Sequence, residues 1–114
     1  MPKSKIPNAL ERRHLIEREL PPDQALAIAM AYLDEDRRAE AVVFLGKAGA
    51  DDQLQALADR AVEEGDGFLL GEVSRARRHE PAPEVWARLE ESARRLGKLR
   101  YAESAGRQAN RSDA

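Results

Sequence analysis

An all-α fold of stacked antiparallel helix hairpins is what this sequence predicts, and three observations carry the prediction. The chain holds 20 Ala against 7 Gly and 6 Pro, with few β-branched residues, a balance that favours helix. Breaks fall at Pro21-Pro22, at Gly49 to Asp52, at Gly65 to Gly67 and at Pro81 to Pro83, and the stretches between them have the length of ordinary helices. Inside those stretches apolar residues recur at helical spacing, as in Leu54, Leu57, Ala58, Ala61 and Val62, or Val85, Trp86, Leu89, Ala93 and Leu96. No stretch alternates with the period of a strand.

The first helix is expected over 8–20, where Asn8 followed three residues later by Glu11 has the form of a capping box. Leu10, Ile16 and Leu20 share one side, with Leu15 beside them, and are expected to cover one end of the stack. Helices over 23–35 and 37–48 follow the prolines and meet at "DEDRRAE", residues 34–40, read as a solvated turn with charges at the helix ends. The next pair spans 52–64, with Asp51 or Asp52 as its cap, and 68–79. Pro83 suits the first turn of a helix over 83–96, and Gly97 permits the turn into a last helix over 99–109. The expected organisation is one domain over 8–110, made of the helix 8–20 and hairpins 22–50, 51–82 and 83–110, with a mobile arm at 1–7 and tail at 111–114.

Offsets of 29 and 32 residues bring the three hairpins into register, laying Asp36, Gly65 and Gly97 over one another. Ala25, Leu54 and Trp86 then coincide, as do Ile28, Leu57 and Leu89, then Tyr32, Ala61 and Ala93, and beyond the turn Ala41, Leu70 and Ala102. With Trp86, Leu89, Ala93, Gly97, Ala102 and Ala109 in the last unit, Leu54, Leu57, Ala58, Ala61, Gly65 and Pro81 or Pro83 in the middle one, and Ile28, Ala29, Tyr32, Ala41 and Ala48 in the first, residues 22–110 resemble the tetratricopeptide repeat. The resemblance implies a short α-solenoid of about three repeats after an N-terminal helix, with Trp86 filling the groove between hairpins. Glu90, Asp36 and Arg77 depart from the family pattern, and another helical-hairpin family or a plain bundle stays open.

Composition narrows the function classes. The chain has no Cys and only two His, His14 and His79, so disulfides, thiolate sites and a Cys nucleophile are excluded. His14 with Glu17 could hold one side of a metal, but Arg13 and Arg18 crowd that surface, and no cofactor or metal is expected. "GKAGADD" at 46–52 has neither the spacing nor the preceding strand of a phosphate loop, and 34–40 lacks the alternating ligands of a calcium loop. The longest apolar run, "ALAIAMAYL" at 25–33, is too short to cross a bilayer, and a cytoplasmic location is expected. The preference for Arg, 15 against 4 Lys, is the kind that a GC-rich bacterial genome imposes.

Charge is uneven: residues 34–72 hold 4 basic and 11 acidic groups, whereas 75–111 hold 10 basic and 5 acidic. The resemblance implies that the first helix of each pair lines a groove, placing Leu26, Met30, Leu33 and Asp34 (with Asp23) beside Gln55, Asp59, Val62 and Glu63, and then Glu91, Arg94 and Arg95 (with Ala87). Family members that grip a C-terminal carboxylate use Lys, Asn and Arg at such positions, and Asp59 and Glu63 speak against that clamp. The expectation is therefore a non-enzymatic adaptor for a protein partner, a peptide or helix with basic and apolar residues, with a homodimer as a further possibility. The alternative is a nucleic-acid-associated protein using a basic face of Arg75, Arg78, Arg94, Arg95 and Lys98, expected to converge at one end of the stack.

Overall fold

The computed structural model describes residues 6–111. Seven helices account for its secondary structure: α1 (Ala9–Glu17), α2 (Pro22–Asp34), α3 (Arg38–Ala48), α4 (Asp51–Glu64), α5 (Gly67–Arg77), α6 (Pro83–Arg95) and α7 (Leu99–Ala109). No strand occurs among the described residues. The chain divides into two compact units, the first ending at Leu54 and the second starting at Gln55. The arm and tail expected at 1–7 and 111–114 lie outside the described residues except for 6, 7 and 111.

The predicted elements reappear within about two residues, apart from the end of α1. The Asn8 side chain accepts the backbone N–H of Glu11 at 2.9 Å, so the cap forms where the sequence placed it. The helix then stops at Glu17 instead of continuing to Leu20. Leu20 precedes Pro21, a position that disfavours helical backbone, and the extended segment is held where Lys47 Nζ donates to the Arg18 carbonyl at 2.9 Å. Leu10 is exposed, and no residue of α1 is buried. What joins α1 to its unit is Arg12, whose guanidinium lies 5.1 Å from the Tyr32 ring and 5.4 Å from the Phe44 ring and donates to the Glu40 carbonyl at 3.2 Å. Beneath it α2 and α3 pack as a hairpin around Ala25, Ala29, Tyr32, Ala41, Val42, Phe44 and Leu45, with Tyr32 stacked on Phe44 at 5.8 Å.

One turn geometry recurs at all three hairpins. At Asp36, Gly65 and Gly97 the backbone is left-handed, with φ of 57°, 64° and 75°. The N–H of the next residue reaches back five places each time: Arg37 to Tyr32, Asp66 to Ala61 and Lys98 to Ala93, at 2.9, 2.8 and 2.7 Å. This is the Schellman closure, which satisfies carbonyls that a helix end leaves open. The residues that accept these bonds are the ones the sequence register laid over one another. Asp36 adopts the same conformation without being glycine, in keeping with the tolerance of Asp for it.

The boundary falls within α4; in the second unit α4 from Gln55 onward and α5 form one hairpin, and α6 and α7 the next. The ends of α4 and α5 remote from their turn are tied where Arg77 Nη1 donates to Gln55 Oε1 at 2.8 Å. The two hairpins stack. A Cβ at Gly65 would stand 2.6 Å from Ala93 Cα, so only a glycine lets the α4–α5 turn sit this close to α6. Nearby, Lys98 Nζ donates to the Glu64 carbonyl at 2.6 Å, and Gly67 lies against the Tyr101 ring. Leu57, Ala58, Ala61, Leu69, Leu70, Val73, Leu89, Ala93, Ala102 and Ala105 fill the interior, each large member removing about 1.5–3 kcal/mol of apolar surface from water. Trp86 is half-buried instead of central, because it sits on the first turn of α6 beside Pro81 and Pro83, at the margin of the packed layer.

Candidate functional site

In the first unit the predicted groove residues lie on α2. Leu26, Met30 and Leu33 fall at i, i+4 and i+7, hence on one face, with Leu26 and Leu33 half-buried and Met30 and Asp34 exposed. Asp23 is exposed too, and its carboxylate accepts the N–H of Gln24 at 3.0 Å.

In the second unit α4 and α6 run side by side in the same direction. Gln55 and Ala58, in the first half and middle of α4, line one cleft with Val85 at the start of α6, and Gly65, just after α4, meets Ala93 near the end of α6. The predicted residues divide between the two helices. Gln55, Asp59 and Glu63 are exposed on α4, with Val62 half-buried. Ala87, Glu91, Arg94 and Arg95 are exposed on α6. Charge changes sign from one helix to the next. Gln55 Nε2 donates to Asp59 Oδ1 at 2.9 Å while its Oε1 receives Arg77, so three side chains form a fixed polar line. Glu63 makes no ion pair with a described residue, whereas Arg94 is held by Glu90 at 2.7 Å.

Beside this line opens a cleft of about 230 Å³ that the sequence did not suggest. Ala58, Leu70, Val73 and Val85 form its apolar walls, and Gln55, Arg77 and His79 its polar margin. Small-molecule and cofactor sites run to roughly 300–1,000 Å³, so this volume suits a side chain or two. No sequence signal marks such a cleft, because its residues come from α4, α5, the 79–82 loop and α6, its walls reading individually as core positions and its margin as ordinary surface.

The basic face is not assembled. Arg75 and Arg78 close α5, while Arg94, Arg95 and Lys98 close α6, and successive antiparallel helices end at opposite ends of the layer. Lys98 lies at the α4–α5 turn through Glu64, whereas Arg75 lines a surface hollow with Trp86, Gln108 and Arg111. The two groups stand apart by about the length of α5, which at 1.5 Å per residue is roughly 16 Å. Arg75 is further engaged by Glu72 at 2.6 Å.

Elsewhere, Glu17 accepts from Arg13 at 3.1 Å. No group of three or more His, Cys, Asp or Glu gathers among the described residues. No helix among them is long and apolar enough to cross a membrane. Comparison with protein-family models, with curated proteins and with solved structures finds no match to this chain.

Proposed function

We propose that the chain is a non-enzymatic protein-interaction module of tetratricopeptide type, binding a peptide or helix that carries basic and apolar residues. The apolar cleft bounded by Ala58, Leu70, Val73 and Val85, opening beside Gln55 and Asp59, is the observation that carries this reading. An apolar side chain of the ligand drops into the cleft, and Lys or Arg at neighbouring positions meets Asp59 and Glu63. Pockets for alternate side chains supply specificity in this mode of recognition, while charge sets encounter rate and register. Acidic residues of the same ligand face Arg94 and Arg95 on α6. The alternative of a nucleic-acid surface loses support with the separation of its cations, since phosphate affinity needs them on one face.

Selection of a displayed random-peptide library on the immobilised chain tests the proposal, with the Asp59→Lys, Glu63→Lys double variant in parallel. Wild type is expected to enrich peptides with an apolar residue flanked by Lys or Arg, and the variant to lose them. Enrichment of the same peptides by both proteins would overturn the placement.

A further inference from the structure

Four large apolar side chains of the second unit are conspicuously solvent-exposed: Phe68 at 54%, Leu96 at 51%, Leu99 at 62% and Tyr101 at 39%. All four belong to one end of the unit. Phe68 is the second residue of α5, directly after the α4–α5 turn; Leu96 caps α6; Leu99 and Tyr101 lie in the first turn of α7. The two turns stand side by side, as the approach of Gly65 to Ala93, the contact of Gly67 with the Tyr101 ring and the bond from Lys98 to Glu64 establish. They extend the interior stripes past the end of the packed layer: Leu96 follows Leu89 and Ala93 at helical spacing, and Leu99 and Tyr101 precede Ala102, Ala105 and Gly106 in the same way.

Charges of both signs rim this end. Arg94, Arg95, Lys98 and Arg100 stand with Glu63 and Asp66, and neither Arg95 nor Arg100 makes an ion pair with a described residue. An anionic bilayer surface attracts only the basic members of such a rim. A second copy of the same surface presents both signs and its own apolar centre, which is the anatomy of a homodimer contact. We infer that the turn end of the second unit is an isologous dimer interface, in which Leu96, Leu99, Phe68 and Tyr101 of two copies meet across a twofold axis. Each copy offers its Arg95 and Arg100 to the acidic rim of the other.

The expected strength follows from area. A large side chain buries roughly 150–250 Å² in full, so four that are about half exposed contribute on the order of 400 Å² per copy. Standard stable interfaces bury about 800 Å² per partner. The contact falls short of that, so the dimer is a weak one that forms only at high protein concentration. It leaves Asp59 and the cleft beside Val85 outside the contact but engages Glu63 and Arg95, so in the dimer the peptide surface proposed above keeps only the cleft, Asp59 and Arg94. The interface itself does not rest on that reading.

Light scattering across a concentration series tests the inference, with Leu99→Asp against Leu10→Asp. Leu99 opens α7, where an acidic residue favours the helix, so the variant retains its fold, and circular dichroism checks this. Leu10 is exposed to a similar degree, 63%, on α1. Wild type and Leu10→Asp are expected to rise from the mass of one chain toward two, and Leu99→Asp to stay at one. A wild type that stays at the mass of one chain at millimolar concentration overturns the proposal, as does association that survives Leu99→Asp. Sedimentation with phosphatidylserine-containing vesicles, lost on Leu99→Asp while the free protein remains monomeric, would assign this end to a membrane surface instead.

Discussion

Replacing Gly65 by Ala probes the packing of the two hairpins of the second unit more directly than any core truncation. Gly65, Gly97 and Gly49 all have left-handed backbone, so a Cβ costs each of them roughly 1–2 kcal/mol of local strain. Against that, Ala restricts the unfolded chain and returns about 0.4–1 kcal/mol. At Gly97 and Gly49 nothing lies within 4 Å of the added carbon, and the net loss is of order 1 kcal/mol or less. At Gly65 the same carbon meets Ala93 Cα at 2.6 Å and Ala93 N at 2.8 Å, contacts with backbone that cannot swing aside. The turn must lift from α6, adding the roughly 1–3 kcal/mol typical of an overfilled core. Urea unfolding followed by circular dichroism compares the variants, and with a slope of about 1–3 kcal/mol per molar, Gly65→Ala should unfold at a midpoint lower than Gly97→Ala by about 1 M. Equal midpoints would refute the close approach of the α4–α5 turn to α6, and with it the shared apolar end from which the dimer is inferred.

Two further predictions concern the first unit. Tyr32 is fully buried, and its hydroxyl has no hydrogen-bond partner among the described residues. An unsatisfied buried hydroxyl costs about 1–3 kcal/mol, so Tyr32→Phe should raise the melting temperature by several degrees in calorimetry; a drop would mean that the hydroxyl is satisfied. Hydrogen bonds from Arg37 hold the Glu40 carboxyl below its ordinary range, with desolvation opposing, and raise Arg37 in turn. A carboxyl lowered in the folded state contributes stability above the ordinary carboxylate pKa and loses it as pH falls through the lowered value. The stability gap between wild type and Glu40→Gln should therefore shrink between neutral pH and pH of about 3. The pair is well exposed, and the gap will be small; a gap independent of pH would remove the ion pair from the account.

Local chemistry in this chain was written in contiguous residues. Asn8, Asp66 and Pro83 open helices, and Gly49, Gly65 and Gly97 close them, because caps and left-handed turns depend on neighbours a few places away. The offsets of 29 and 32 placed Asp36 with the two glycines before any backbone angle was known. Asp36 shows why composition alone would have missed it: the conformation, not the glycine, is what repeats. The short first helix marks the limit of that reading, since the course of the chain past Glu17 depends on where Lys47 stands to donate to the Arg18 carbonyl.

The sequence by itself therefore determined the helices, their pairing into hairpins and the exposed acidic and basic residues of α4 and α6. Tertiary structure alone decided which of these residues meet. Antiparallel packing sends Arg75 and Arg78 to one end of the second unit and Arg94, Arg95 and Lys98 to the other, although all read as one basic stretch. The same packing brings Phe68 of one turn beside Leu96, Leu99 and Tyr101 of the next, and hollows a cleft beside Gln55. Hydrogen bonds within a turn span at most a few residues, whereas a surface is assembled from side chains that only the approach of separate helices brings together.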